Sequence, residues 1–381
     1  MEFVDLNYKI SIILPVYNVE KHIHKALNSI IRQTIGSDNL QVIMVDDLST
    51  DDSGKIIDEY AEKYENFTSI HLNANSGAAG KPRNLGMEIA TADFIMFLDP
   101  DDYFLDDACE ILYNKISTEN VDIVFGNYSN FHKGKILRVK TPFGSVDEVK
   151  VKSIHEEVRL LNIPPSIWTK IFKSSFLKDN MMRFHEKIPG QDLVFVVDSL
   201  LKAKGIIFLN NFIVCNRNLR DGDDDNSITY SNSKNYVIGL IQAYNYLYEI
   251  FKTTKNEKYI PIAFNSHIPF WMHRFVLSNL ETYEKRETIL SASTLFKKLS
   301  ASGLSIKQKD WQLFFDLISN RKYDESILIS KFLLLSLKKE QKLRRNLKNK
   351  QSQVAKLQTV KGWTSYKFKN ILSRLKTKFN N

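Results

Sequence analysis

Three carboxylates fall close together in the stretch FIMFLDPDDY, residues 94–103: Asp99, Asp101 and Asp102, interrupted only by Pro100. Carboxylates packed this closely repel one another and resist burial unless positive charge sits among them. Two aspartates two positions apart in an extended segment can aim oxygens at one centre, and hard cations such as Mg2+ or Mn2+ take oxygen ligands. The apolar run Ile95 to Leu98 just before them predicts a short buried strand. Proline cannot donate to a sheet ladder, so the strand should end at Pro100. Taken alone, the stretch leaves a solvated acidic turn open as the alternative.

The surrounding elements decide what such a turn can do. Lys9 to Val16 reads as a β-rich apolar run ending near Pro15. Asn18 is placed to cap a helix reaching about Gln33, with Ile23, Ala26, Leu27, Ile30 and Ile31 on one stripe. Leu40 to Val45 predicts a second strand, closed by Asp46 and Asp47. Ser49 or Thr50 can cap a helix from Asp52 to about Tyr64, and Thr68 to Leu72 predicts a third strand. A glycine-rich turn, NSGAAGKPRN at 75–84, leads into a helix from about Pro82 to Ala90. Strands alternating with helices at this spacing imply an α/β fold with a parallel sheet and covered faces. Such sheets bind ligands beyond the carboxyl ends of their strands, where these aspartates gather.

The chain has 381 residues, enough for more than one domain, and a 43% hydrophobic content ordinary for a soluble globular protein. No apolar run approaches bilayer-spanning length; Phe332 to Leu337 is far too short. The first residues, MEFVDLNYKI, lack the basic-then-apolar order of a signal peptide. Cys109 and Cys215 alone make neither a disulfide framework nor a zinc site, so a cytoplasmic location is expected. The net charge of +9 is uneven: residues 336–381 hold fourteen Lys and Arg against Glu340, leaving the rest of the chain at −4.

Four motifs in order carry a family resemblance: ILPVYN at 13–18, VDDLSTD at 45–51, GKPRNLG at 80–86 and LDPDDY at 98–103. Residues 8–235 resemble the family 2 glycosyltransferases of GT-A fold. The NSGAAGKPRN form is similar to the enzymes that place N-acetylglucosamine on poly(ribitol phosphate) wall teichoic acid in Gram-positive bacteria. Pro100 departs from those relatives, which more often carry Ser there. The resemblance implies a mixed Rossmann-like sheet, a UDP-sugar donor, a Mn2+ or Mg2+ ion, and a polyol-phosphate or polysaccharide acceptor.

It also implies residue roles. Asp47 would accept the uracil imide N–H, with Pro15 and Tyr17 lining the base. Helix capping is the alternative for one of Asp46 and Asp47. Arg83, at a helix start, suits a phosphate-bearing ligand; a surface ion pair is its alternative. Gly77 and Gly80 let backbone approach the donor or are turn glycines. Asp101 would bind the metal directly and Asp99 the ribose or the metal's water shell, while Asp102 would support them or cap a helix beginning near Leu105.

The segment Ser166 to Val197 resembles the family's second signature, a Trp-x-Lys element followed by an acidic pair opening a helix. Here the pair reads Gln191-Asp192, so Asp192 is the candidate base for an inverting transfer; an N-cap aspartate is the alternative. Phe212 to Thr229 resembles a donor-closing loop, with Arg217 or Arg220 reaching the diphosphate, and its DGDDD run reads as solvated. His185 receives no role.

Residues 236–335 read as a helical accessory domain, with breaks near Lys255, Ser302 and Arg321. Trimerisation or other homo-oligomer assembly stays open. Residues 336–381 form a basic amphipathic tail, aromatic from Trp363 to Phe379, of the kind that lies on an anionic membrane at the inner face of the cell. A solubilising tail and a partner-binding helix are its alternatives. Nucleic acid is not an expected partner, since the body has no recognised nucleic-acid fold. Two function classes therefore stand: a metal-dependent glycosyltransferase, transfer from another UDP-hexose to capsular or exopolysaccharide polymers included, and a non-catalytic nucleotide-sugar or carbohydrate scaffold, for which Gln191 is the best argument.

Overall fold

The computed structural model describes residues 8–132, 135–218 and 233–359. Its centre is a sheet that begins with β1 (Ile10–Val16) and β2 (Leu40–Asp46), both buried along their full length. Apolar runs without alternation belong in a sheet covered on both faces, and these strands pair in parallel, Ile10 to Leu40 through Val16 to Asp46. β3 (Phe67–His71) continues the sheet beside β2, and β4 (Phe94–Phe97) pairs in parallel on the other side of β1. The chain thus winds outward from β1 in one direction and returns to its opposite side. The crevice at such a switch point is where open α/β sheets take ligands.

Beyond β4 the sheet is mixed. β5 (Tyr103–Phe104), β6 (Ile123–His132), β7 (Lys135–Arg138), β8 (Glu148–Val151), β9 (Lys170–Lys173) and β10 (Ile206–Asn218) complete ten strands among the described residues. The order is β3-β2-β1-β4-β9-β6-β10-β5, with β7 on β6 and β8 on β10. β9 runs antiparallel to β4, Met96 opposite Ile171, and β10 runs parallel to β6.

Helices α1 (Ile23–Ile31), α2 (Ser53–Lys63), α3 (Gly80–Ile89), α4 (Ala108–Glu119), α5 (Ser174–Asp179) and α6 (Gln191–Lys202) lie between the strands. The starts of two differ from expectation. Asn18 does not cap α1: its φ is 49°, and its side-chain oxygen accepts from the Thr50 N–H at 2.8 Å, tying the end of β1 to the loop after β2. Neither Ser49 nor Thr50 caps α2, which begins at Ser53 after Asp52. Ser49 instead donates its N–H to Asp46.

The later part is helical: α7 (Lys234–Thr253), α8 (Ile260–Leu277), α9 (Thr282–Ala301), α10 (Lys309–Ser319) and α11 (Tyr323–Thr359). The expected breaks are visible in the backbone, with positive φ at Lys255, Gly303 and Arg321. Trp271 is fully buried and donates its indole N–H to the Val237 carbonyl at 2.8 Å, fastening α8 to α7. The chain divides into two compact units, Met1–Ser326 and Ile327–Asn381. The aromatic tail segment from Trp363 on lies outside the described residues. No described helix is long and apolar enough to cross a membrane.

Candidate active site

The parallel pairing of β1, β2 and β4 brings their carboxyl ends to one edge of the sheet. Three sequence signals therefore meet there: Pro15 and Tyr17 at the end of β1, Asp46 and Asp47 after β2, and the acidic turn after β4. Pro15 is buried in the strand, whereas Tyr17 is 47% exposed over the crevice edge.

Asp47 is buried, and Ser76 engages both of its carboxylate oxygens: the backbone N–H donates at 2.7 Å and the hydroxyl at 2.9 Å. Asn75 donates its amide to the Asp47 carbonyl. Asp47 therefore clamps the glycine-rich turn to the end of β2, and the remaining lone pairs are what it has for a ligand. Asp46 turns away and accepts from His71 Nδ1 at 3.0 Å, while Asp58 meets the same ring at Nε2. Gly77 has φ of 80°, a backbone setting that favours glycine. Gly80 is needed for packing: a Cβ there would stand 2.2 Å from Gln191 Oε1 and 2.7 Å from the His185 carbonyl oxygen.

Arg83, in the first turn of α3, is 2% exposed. It is no surface cation. Its Nη2 donates to Asp99 Oδ1 at 2.6 Å, and its Nη1 donates to Asp192 Oδ1 at 2.5 Å. One guanidinium thus links the acidic turn after β4 to the start of α6. Its Nε is buried without an acceptor. Phe184 lies under the guanidinium, 5.2 Å from ring centre to Cζ.

Asp192 sits in the first turn of α6, behind Gly190 in the left-handed N-cap conformation. Gly190 has no side chain with which to cap the helix, and the Asp192 carboxylate accepts from Arg83. Its side chain keeps 31% exposure, so the carboxylate is both anchored and reachable. Gln191 occupies the position of the missing acid; its Oε1 is buried without a partner.

Asp99, Asp101 and Asp102 each bring a carboxylate oxygen within 4.8 Å of the others. Burial, with Asp192 and Asp101 adding to it, pushes the Asp99 carboxyl up to about 6 despite the pull of Arg83. Burial, then Asp101 and Asp99, push the Asp102 carboxyl well above the ordinary range. An all-oxygen, like-charged set of this kind fits a hard divalent cation. Asp102 does not cap a helix near Leu105: α4 starts at Ala108, and Asp102 accepts the Asn218 N–H at 3.0 Å. That bond brings the end of β10 to the acidic turn.

Residues 212–218, expected in a loop, are strand: Arg217 is on β10 opposite Asn130 of β6. Its positive charge opposes the rise of the Asp102 carboxyl. Arg220 and the DGDDD run lie outside the described residues.

Lys170 is a buried lysine whose position the sequence hid. It opens β9, is 1% exposed, and donates from Nζ to the Ser166 carbonyl at 2.9 Å and the Thr169 hydroxyl at 3.2 Å. Burial pushes its amine down to about 7, against an opposing pull from Asp192. The Trp-x-Lys element was the available signal, but nothing in its spacing says that the lysine is buried. His185 stacks on Tyr246 of α7 with ring centres 3.9 Å apart.

Residues 11–168 match a family model described as Glycosyl transferase family 2. The chain is 31% identical over 287 residues to the poly(ribitol-phosphate) beta-glucosyltransferase of Bacillus spizizenii, covering 73% of this chain and 43% of that protein. It is 29% identical over 267 residues to the poly(ribitol-phosphate) beta-N-acetylglucosaminyltransferase TarS of Staphylococcus aureus, covering 69% of this chain and 44% of that protein. The chain therefore spans less than half the length of these two relatives. Its fold is similar to the crystal structure of S. aureus TarS in complex with UDP-GlcNAc, with a TM-score of 0.69 at 22% identity, over 85% of this chain and 90% of that one. The fold is thus a GT-A-like mixed sheet followed by helices. With the strand ends, the glycine-rich turn and the acidic turn all inside the matched residues, the chain belongs to glycosyl transferase family 2.

Proposed function

We propose that this protein transfers a sugar from a UDP-sugar to a hydroxyl of a polyol-phosphate polymer of the teichoic acid type, with inversion at C1. The observation that carries this reading is the Arg83 bridge, which holds Asp192 in place beside the acidic turn. The names of the two relatives support the polymer class, and they put glucose beside N-acetylglucosamine as the donor sugar.

In this reading Tyr17 and Pro15 flank the uracil and Asp47 accepts its imide N–H. Gly77 lets the turn approach the donor, and Arg217 faces the diphosphate. Asp101 and Asp99 would hold Mn2+ or Mg2+, with Asp102 beside them; the ion would supply charge stabilisation for the departing UDP. Asp192 takes the proton from the acceptor hydroxyl as its oxygen attacks C1 from the face opposite UDP. Oδ1 is held by Arg83, so Oδ2 is the oxygen offered to the hydroxyl. Arg83 acts as the positioning group: it fixes the distance between base and leaving-group site, the kind of pre-set geometry from which a transfer gains most.

The test is UDP release from UDP-glucose and UDP-GlcNAc, with and without poly(ribitol phosphate) and divalent metal. Acceptor-dependent release from one donor supports the reading. UDP binding with no release from either donor under any of these conditions would favour the binding scaffold.

A further inference from the structure

The second compact unit begins with a helical face that carries large apolar side chains in the open. On α11, Leu328 is 68% exposed, Phe332 56% and Leu335 68%. Further along, Leu343 is 59% exposed and Leu347 44%. At 3.6 residues per turn, Leu328, Phe332 and Leu335 share one narrow stripe, and Leu343 falls beside its continuation. Lys331, Lys338, Lys339, Lys342 and Arg345 are exposed along the same stretch. Glu340, the one acid after residue 335, is already paired with Arg344 at 2.5 Å.

Three kinds of occupant could cover this face. A second copy would bring two strongly basic helices together, since residues 336–359 of α11 carry a net +7. A hydrophilic polyanion answers the charge but has no apolar surface to receive Leu328, Phe332 and Leu335. An anionic lipid surface answers both, with headgroups for the lysines and acyl chains for the leucines and phenylalanine. We propose that the Leu328–Phe332–Leu335 face of α11 lies on an anionic bilayer, parallel to its plane. This goes beyond the transfer reaction and does not depend on it.

The experiment is cosedimentation of the full chain with phosphatidylcholine vesicles, with and without phosphatidylglycerol. The comparison is the triple variant Leu328→Ser, Phe332→Ser, Leu335→Ser, whose folding is monitored by its melting temperature and circular dichroism. The wild type should sediment with the phosphatidylglycerol vesicles and far less with neutral ones. Added salt should weaken that binding. The triple variant should melt like the wild type and partition at least about tenfold less. A variant that sediments as well as the wild type would show that the basic tail alone does the binding and overturn the assignment of the face. No sedimentation of the wild type overturns it too. So does a lipid-free dimer that the triple substitution dissociates, because the face would then belong to a second copy.

Discussion

Arg83 and Asp192 lie 109 positions apart in the chain, yet Nη1 of the first is 2.5 Å from Oδ1 of the second. The second arm of the same guanidinium holds Asp99. A planar fork can join two carboxylates at a set spacing in a way that a lysine's single ammonium cannot. The joint connects the residue proposed as base to the turn proposed to hold the donor's metal.

Removing this joint should cost both stability and rate. Arg83→Met leaves two carboxylates facing each other without their cation, and breaking a buried pair costs about 3–5 kcal/mol. Because Asp99 and Asp192 keep 27% and 31% exposure, the low end of that range is expected. Arg83→Lys should recover much of the melting temperature and little of kcat, since it cannot reproduce both bonds. A lysine variant with wild-type kcat would show that the spacing does not matter.

Asp47 and Ser76 can be separated by paired substitutions. Asp47→Ala removes the clamp and the proposed uracil acceptor together, whereas Ser76→Ala removes the hydroxyl bond and leaves the carboxylate. Calorimetry with UDP should show a large affinity loss for Asp47→Ala and a smaller one for Ser76→Ala. Equal losses would mean that the turn, and not the carboxylate, carries uridine binding.

Lys170 makes a pH prediction. Its amine titrates at about 7 in the folded protein and near 10.4 when unfolded. Between those values the unfolded chain binds more protons, so this group makes stability rise with pH from about 7 towards 10. Lys170→Met should remove that rise. Chemical denaturation of both proteins across this range checks it; parallel curves would contradict the assigned burial.

The acidic turn predicts a metal requirement. Asp101→Ala should abolish turnover with the fold intact, and a chelator should do the same to the wild type, with recovery on adding Mn2+ or Mg2+. Undiminished UDP release in excess chelator would remove the ion from the account.

What could be read in advance follows from physical range. The apolar runs that became β1, β2 and β4 announced themselves locally, and parallel pairing made their aspartate-bearing ends converge. The helical breaks near Lys255 and Arg321 were equally local, and both residues take positive φ. Asn18, Asp102 and Asp192 were harder. Each has a side chain that suits a helix cap, and each is claimed by a partner from elsewhere in the chain: Thr50, Asn218 and Arg83. Arg83 was expected at a ligand because of its helix start; its burial between two carboxylates depends on where α6 packs, and no local pattern records that.

The most direct test is the turnover of Asp192→Asn. The amide keeps the shape of the carboxylate and loses its proton acceptor, so kcat should fall by about 10²-fold or more while the Kd for the UDP-sugar stays near the wild-type value. A variant within a few-fold of wild type in kcat would contradict the assignment of Asp192 as the base.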